Sequence, residues 1–235
     1  MIKAVFFDLD GTLLPMDQDT FVQSYFSKLA QKLSPLGYEP KALINSIWAG
    51  IAAMVANDGH QTNADAFWDK FAQIHGPHVR EDEPVFHAFY ENEFQQARDV
   101  CGFEPMAAQI VRVLKEKGYR LVLATNPIFP AVATESRIRW AGLTPEDFEL
   151  YTTYENACYS KPNLDYYRAL LTQLDLRPEE VLMVGNDVSE DMIAETLGMS
   201  VFLLTPCLIN KENRDIAAYP HGDFNALMEY VKTKL

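Results

Sequence analysis

Four short apolar runs, each closed by a polar turn, limit the folds open to this chain. Ile2–Phe7 stops at Asp8, and the run from Arg120 to Ala124 stops at Thr125-Asn126-Pro127. Val181–Val184 stops at Gly185-Asn186-Asp187, and Ser200–Leu204 stops at Thr205-Pro206. Each is too short for a helix and rich in β-branched or large apolar side chains, so each reads as a strand buried on both faces. Helical patterns lie between them: Glu104–Lys117 before Gly118, Pro130–Trp140 before Gly142, Asn163–Leu174, and Ser189–Leu197 before Gly198. Glycine just past the last turn is a common helix stop. Alternation of strand and helix predicts an α/β fold, a doubly wound parallel sheet. Ligands bind such sheets beyond the carboxyl ends of the strands, so the polar residues closing three of the runs are expected on one rim.

The spacing along the chain is uneven. A strand–helix–strand step takes about 30 residues, yet 115 positions separate Asp10 from Thr125. The helix Glu104–Lys117 already supplies that crossover, which leaves residues 16–100 as an insertion after the first strand. They read as amphipathic helices near 18–33, 40–56, 63–75 and 83–98, broken at Ser34-Pro35, Asn57-Asp58-Gly59 and Gly76-Pro77. Their aromatic residues, among them Phe21, Tyr25, Phe67, Trp68, Phe71 and Phe94, fall at helical spacing and are expected mainly as the core of a small bundle.

A formal charge of −13 disfavours nucleic acid and anionic membranes as partners, since both are held by lysine and arginine. No stretch approaches the roughly 20 apolar residues needed to span a bilayer. The apolar run after Lys3 is cut by Asp8 too early for a secretory leader. Three widely spaced cysteines, Cys101, Cys158 and Cys207, fit reduced thiols serving as small core residues. The expectation is a soluble, cytoplasmic protein, with its oligomeric state left open.

The chemistry begins at Phe7-Asp8-Leu9-Asp10-Gly11-Thr12. Two carboxylates at the end of a buried strand are costly unless a cation compensates them. Mg²⁺ takes oxygen ligands from one or two carboxylates and completes its shell with water and substrate phosphate. Asp8 at the strand end suits nucleophilic attack on phosphorus. Asp10 is placed to protonate the leaving group and then deprotonate water. The alternative is a solvated Asp-Gly turn. Thr125-Asn126 offers a hydroxyl and backbone N–H groups to a phosphate oxygen, although Thr-Asn-Pro is also an ordinary turn. Lys161, before Pro162, lies in an extended or turn segment, where a lysine can neutralise a nucleophile and a phosphoryl group. Asp187 and Asp191 are four residues apart, one face of a helix if a helix begins there; N-capping is the other account of them.

Together these segments resemble the haloacid dehalogenase-like (HAD) hydrolase superfamily, in the subclass with a helical (C1) cap, over essentially the whole chain. The resemblance implies a Rossmann-like catalytic core of residues 1–15 and 100–235, with a cap of residues 16–99. It implies Asp8 as nucleophile, Asp10 as general acid/base, and Thr12 as support for the first loop. Thr125, Asn126 and Lys161 hold phosphate, Lys161 also serving catalysis. Asp8, Asp10 through its carbonyl, Asp187 and Asp191 form the Mg²⁺ site, with Asp191 orienting the metal shell. Gly185-Asn186-Asp187 departs from the commoner Gly-Asp, which shifts the direct ligand toward Asp187. Thr125 and Lys161 are only 36 positions apart, too close for the large alternative cap inserted there in some relatives. The implied activity is hydrolysis of a small phosphomonoester. A phosphomutase of the β-phosphoglucomutase type and a non-catalytic regulatory module on the same fold are the competing readings. Specificity is expected from Asn57–His60 and Asp17–Tyr25, and the acidic insertion disfavours polyphosphates.

Overall fold

The computed structural model describes residues 1–235. Six strands form one parallel sheet: β1 (Ala4–Phe7), β2 (Arg120–Leu123), β3 (Leu150–Tyr151), β4 (Val181–Gly185), β5 (Ser200–Leu204) and β6 (His221–Gly222). Their order is β3-β2-β1-β4-β5-β6, which puts β1 in the centre. The four anticipated strands are present within one or two residues. The two outermost strands, two residues each, are too short to leave a periodic signal.

Side chains alternate across the sheet as pleating requires. Val5, Phe7, Leu121, Leu123, Leu182 and Val184 join one buried cluster, and Ala4, Phe6, Val122, Val181 and Met183 join another on the opposite face. The first face is covered by α5 (Pro105–Glu116), α6 (Ala131–Trp140) and α8 (Phe224–Lys234), and the second by α7 (Leu164–Gln173). Helix α8 has no counterpart among the sequence expectations.

Between β1 and α5 lie α1 (Gln18–Leu33), α2 (Pro40–Val55), α3 (Asn63–His75) and α4 (Glu83–Glu91). Their apolar faces share the first cluster, so the aromatic core of these helices is continuous with that face of the sheet. Phe94, Phe129 and Trp140 carry the contact: Phe94 lies 6.3 Å from Phe129 and 5.2 Å from Trp140, centroid to centroid. The expected fourth helix over 83–98 breaks at Asn92, and Glu93–Val100 continues as a 3₁₀ segment. The expected helix over Ser189–Leu197 is reduced to a 3₁₀ segment at Met192–Leu197. All three cysteines are free and only half-buried, unlike the core positions expected of them. No helix is long and apolar enough to cross a membrane.

The register places the strand ends level. Phe7 pairs with Leu123 on one side and Val184 on the other, so Asp8, Ala124 and Gly185 follow at one height. The opposite rim is held by Glu180. Its carbonyl accepts the Lys3 N–H at 2.7 Å, and its carboxylate meets Lys3 at 2.7 Å and Arg177 at 2.9 Å. Bonds from Arg177 and then Lys3 push the Glu180 carboxyl down to about 2. A depressed carboxyl contributes stability above its unfolded pKa, and this is lost as pH falls through the folded value. Glu180→Gln is therefore expected to lower Tm at pH 6 and to lose that deficit between pH 4.5 and 2, as followed by circular dichroism melts.

Candidate active site

Asp8 leaves β1 with its N–H on the Val184 carbonyl at 2.9 Å. Its Oδ1 accepts from Lys161 Nζ at 3.0 Å, and its Oδ2 faces Thr12 Oγ1 at 3.0 Å. Thr12 also lies 2.9 Å from Asn186 Oδ1; its single proton serves one acceptor at a time. The chain can turn here because Gly11 takes φ +83°, and a Cβ at that residue would sit 2.3 Å from Asn186 Nδ2.

Lys161 is fully buried and donates to Asp191 Oδ1 at 2.6 Å as well as to Asp8. Burial works against its charge, but the Asp191 and Asp8 carboxylates outweigh this and hold it well above the usual lysine range. Asp191 does not stand beside Asp187 on a helix. Asp187 Oδ1 instead accepts the Ser189 and Glu190 N–H groups at 2.7 and 2.9 Å, closing a turn. The Asp191 side chain folds back to take the Asp187 N–H at 3.0 Å. It passes so close to Gly185 that a Cβ there would lie 2.1 Å from Asp191 Oδ2. Neither carboxylate caps a helix: Asp187 closes a turn, and Asp191 makes no capping bond to the 3₁₀ segment that follows it.

Thr125 is fixed from behind: its carbonyl accepts from the Thr152 and Tyr166 hydroxyls at 2.6 and 2.9 Å. The Asn126 amide donates to Glu190 Oε2 at 3.0 Å, and its Oδ1 is buried without a partner. Six of the named residues (Asp8, Asp10, Thr125, Asn126, Asp187 and Asp191) line one cavity of about 130 Å³, and Lys161 sits behind Asp8. Gln18, Phe21 and Val22 close it from α1. The Asn57–His60 loop does not reach this cavity. Asn57 bonds to Asn63, which is tied to Ser160 at 3.0 Å.

Two participants were missed in the sequence. Arg137, fully buried on α6, pairs with Asp10 Oδ2 and lies 4.1 Å over the Phe129 ring. Its Nε also donates to the Ala133 carbonyl at 3.2 Å. An arginine within the otherwise apolar stripe Ala133, Ile138 and Ala141 was the available signal. Glu190 is the other. Five acids (Asp8, Asp10, Asp187, Glu190 and Asp191) line the cavity, with no basic residue among its walls. Burial pushes Glu190 up to about 8, against the opposing charge of Lys161. Burial likewise outweighs Arg137 at Asp10 and lifts it to about 6. Asp10 Oδ1 is buried without a partner. No three His, Cys, Asp or Glu side chains stand close enough together to hold a metal ion by themselves; Asp191 is committed to Lys161 and the Asp10 carboxylate to Arg137.

The site thus pairs a carboxylate held by a lysine with a buried acid raised toward neutrality. The chain belongs to the haloacid dehalogenase-like hydrolase family, whose model matches residues 2–194. It is 28% identical over 225 residues to a glyceraldehyde 3-phosphate phosphatase of Methanothermobacter thermautotrophicus, covering 90% of this chain and 89% of that protein. It is 23% identical to a ribulose-1,5-bisphosphate 5-phosphatase of Halopiger xanaduensis, covering 88% and 86%. The crystal structure of a 2-haloacid dehalogenase from Pseudomonas syringae shares the fold with a TM-score of 0.65 at 19% identity, over 100% of both chains.

A carboxyl raised on folding binds more protons in the folded state, so stability falls as pH rises from its unfolded to its folded pKa. In EDTA, Glu190→Gln is expected to match the wild-type Tm near pH 5. At pH 8 it should exceed it by roughly 5 °C, as read by differential scanning calorimetry.

Proposed function

We propose that the chain is a Mg²⁺-dependent phosphatase that hydrolyses a small phosphomonoester through an aspartyl-phosphate on Asp8. Residues 16–99 act as the helical cap over a core of 1–15 and 100–235. The observation that carries this reading is the Asp8 carboxylate. It is gripped by Lys161 and Thr12, and it faces a cavity that also contains Asp10 and Thr125. Two relatives named as phosphatases, of glyceraldehyde 3-phosphate and of ribulose-1,5-bisphosphate, support it.

The donor chemistry fits a hard cation. A cavity walled by five acids and no base repels a phosphate dianion unless positive charge enters with it. Asp8, the Asp10 carbonyl and Asp187 would hold Mg²⁺, with Asp191 orienting Asp187 through its N–H. Bound there, the ion neutralises charge between these acids and the phosphoryl oxygens. The Thr125 hydroxyl and the Asn126 N–H hold the phosphoryl group. An Asp8 oxygen forms a bond to phosphorus as the ester P–O bond breaks, and Asp10 gives its proton to the departing oxygen. Water then attacks phosphorus and passes a proton to Asp10. The Asp8–phosphorus bond breaks, and alcohol and inorganic phosphate leave. Arg137 keeps Asp10 aimed and tempers its basicity. The cap closes to exclude bulk water and reopens for product release. The free cysteines fit a cytoplasmic location.

Phosphate release from a panel of phosphorylated metabolites, with Mg²⁺ or EDTA, tests the reading. Release should require Mg²⁺ and fall at least about 10³-fold in Asp8→Asn; a variant at wild-type rate overturns the nucleophile. Arg137→Met removes the charge that lowers the Asp10 carboxyl, so its pKa rises above 6. The alkaline limb of the kcat profile should move up by about one pH unit while the maximal rate falls.

A further inference from the structure

A second cavity, of about 480 Å³, lies between the inserted helices and the loops that follow β2 and β3, and no step of the proposed chemistry uses it. It abuts the Asp8 cavity along a common wall, Ile128 and Phe129. Phe129 is the ring that Arg137 covers, and it packs 5.7 Å from Tyr25. The charges of Arg137 and Asp10 both register on the Tyr25 hydroxyl, which burial pushes well above the usual tyrosine range. Ile128 and Phe129 thus form the boundary between the large cavity and the one that holds Asp10.

Its walls are aromatic: Phe67, Trp68, Phe86, Tyr90, Phe129 and Tyr154 all face it. Ring faces and edges presented together favour another ring, in stacked or edge-to-face contact. The ionisable residues at its margin, Asp65, Arg80, Glu83, His87 and Glu155, already have partners. Tyr25 is 3% exposed, and neither its hydroxyl nor that of Tyr90 is engaged by another group, so each can serve a hydroxyl or ether of a ligand. Positive charge is spoken for. Arg80 bonds Glu83 and Asp69 at 2.9 Å each, and His87 lies 3.6 Å from Glu91. No other basic residue lines the cavity, and with Asp65, Glu83 and Glu155 also on its walls a second phosphate or a carboxylate meets an excess of negative charge.

We propose that this cavity receives the leaving group of the phosphomonoester, and that the leaving group is an uncharged aromatic ring with one or two hydroxyl or ether substituents. Polyhydroxylated sugars and bisphosphates are poor fits, because such a wall leaves most of their hydroxyls unpaired and their second charge uncompensated. This rests on the phosphatase reading and names its substrate class.

The test compares 2-naphthylmethyl phosphate with sn-glycerol 3-phosphate. Both are primary alkyl esters, so intrinsic leaving-group reactivity is alike. Wild type should favour the naphthyl ester at least tenfold in kcat/KM. The free alcohol, 2-naphthylmethanol, should inhibit competitively and bind in a calorimetric titration. Ala64→Trp, which grows a ring into the cavity, should bring the kcat/KM ratio near one and abolish alcohol binding. The competition in wild type stands even where that variant does not fold. Hydrolysis of both esters with no preference for the ring and no alcohol binding overturns the ring pocket and leaves the phosphatase reading intact. Alcohol binding that does not compete with the ester overturns its role as the leaving-group site. Alcohol binding with neither ester hydrolysed overturns the phosphatase reading and keeps the ring pocket.

Discussion

A single buried ammonium, Lys161 between Asp8 and Asp191, sets the geometry of the whole rim. Taking an ammonium out of water costs several kcal/mol, and the cost is offset only by well-placed counter-charges. Here these come from the end of β1 and from the turn after β4. Three distant parts of the chain are thereby fixed to one another: the first strand, the segment before α7, and the loop after β4. Removing the ammonium strands two buried carboxylates, typically a loss of about 3–5 kcal/mol. The close approach at Gly185 follows from this, since Asp191 can return to Lys161 only across a residue with no side chain.

Around that triad the site is deliberately over-supplied with negative charge. Asp10 and Glu190 are both lifted by burial into the neutral range. Arg137 opposes this at Asp10 alone, from a helix of the sheet layer. The guanidinium is shared by a carboxylate, a helix carbonyl and the Phe129 ring. Proton affinity at the acid and the position of the aromatic wall are therefore set by the same side chain.

Much of the fold was legible because the sheet is parallel and buried. Its four longer strands are continuous apolar runs, and their ends carry the polar residues. Asp8, Thr125, Lys161 and Asp187 could be placed on one rim from spacing and resemblance. Two kinds of feature could not. Strands of two residues carry no period, so β3 and β6 are set by neighbouring strands. Side chains that fold back against their own turn, as Asp187 and Asp191 do, override the helical pattern of Ser189–Leu197, because local carboxylate-to-N–H bonds compete directly with the helix ladder. Arg137 lay hidden because its partner is 127 positions away.

The brevity of β3 and β6 has a consequence for the molecule among its own kind. Both margins of the sheet end in ladders only two residues long, His221–Gly222 and Leu150–Tyr151. A margin this short gives an incoming strand almost no backbone to pair with, which disfavours extension of the sheet from one molecule into the next. The same economy that made these strands unreadable in sequence leaves both edges of the sheet blunt toward other strands.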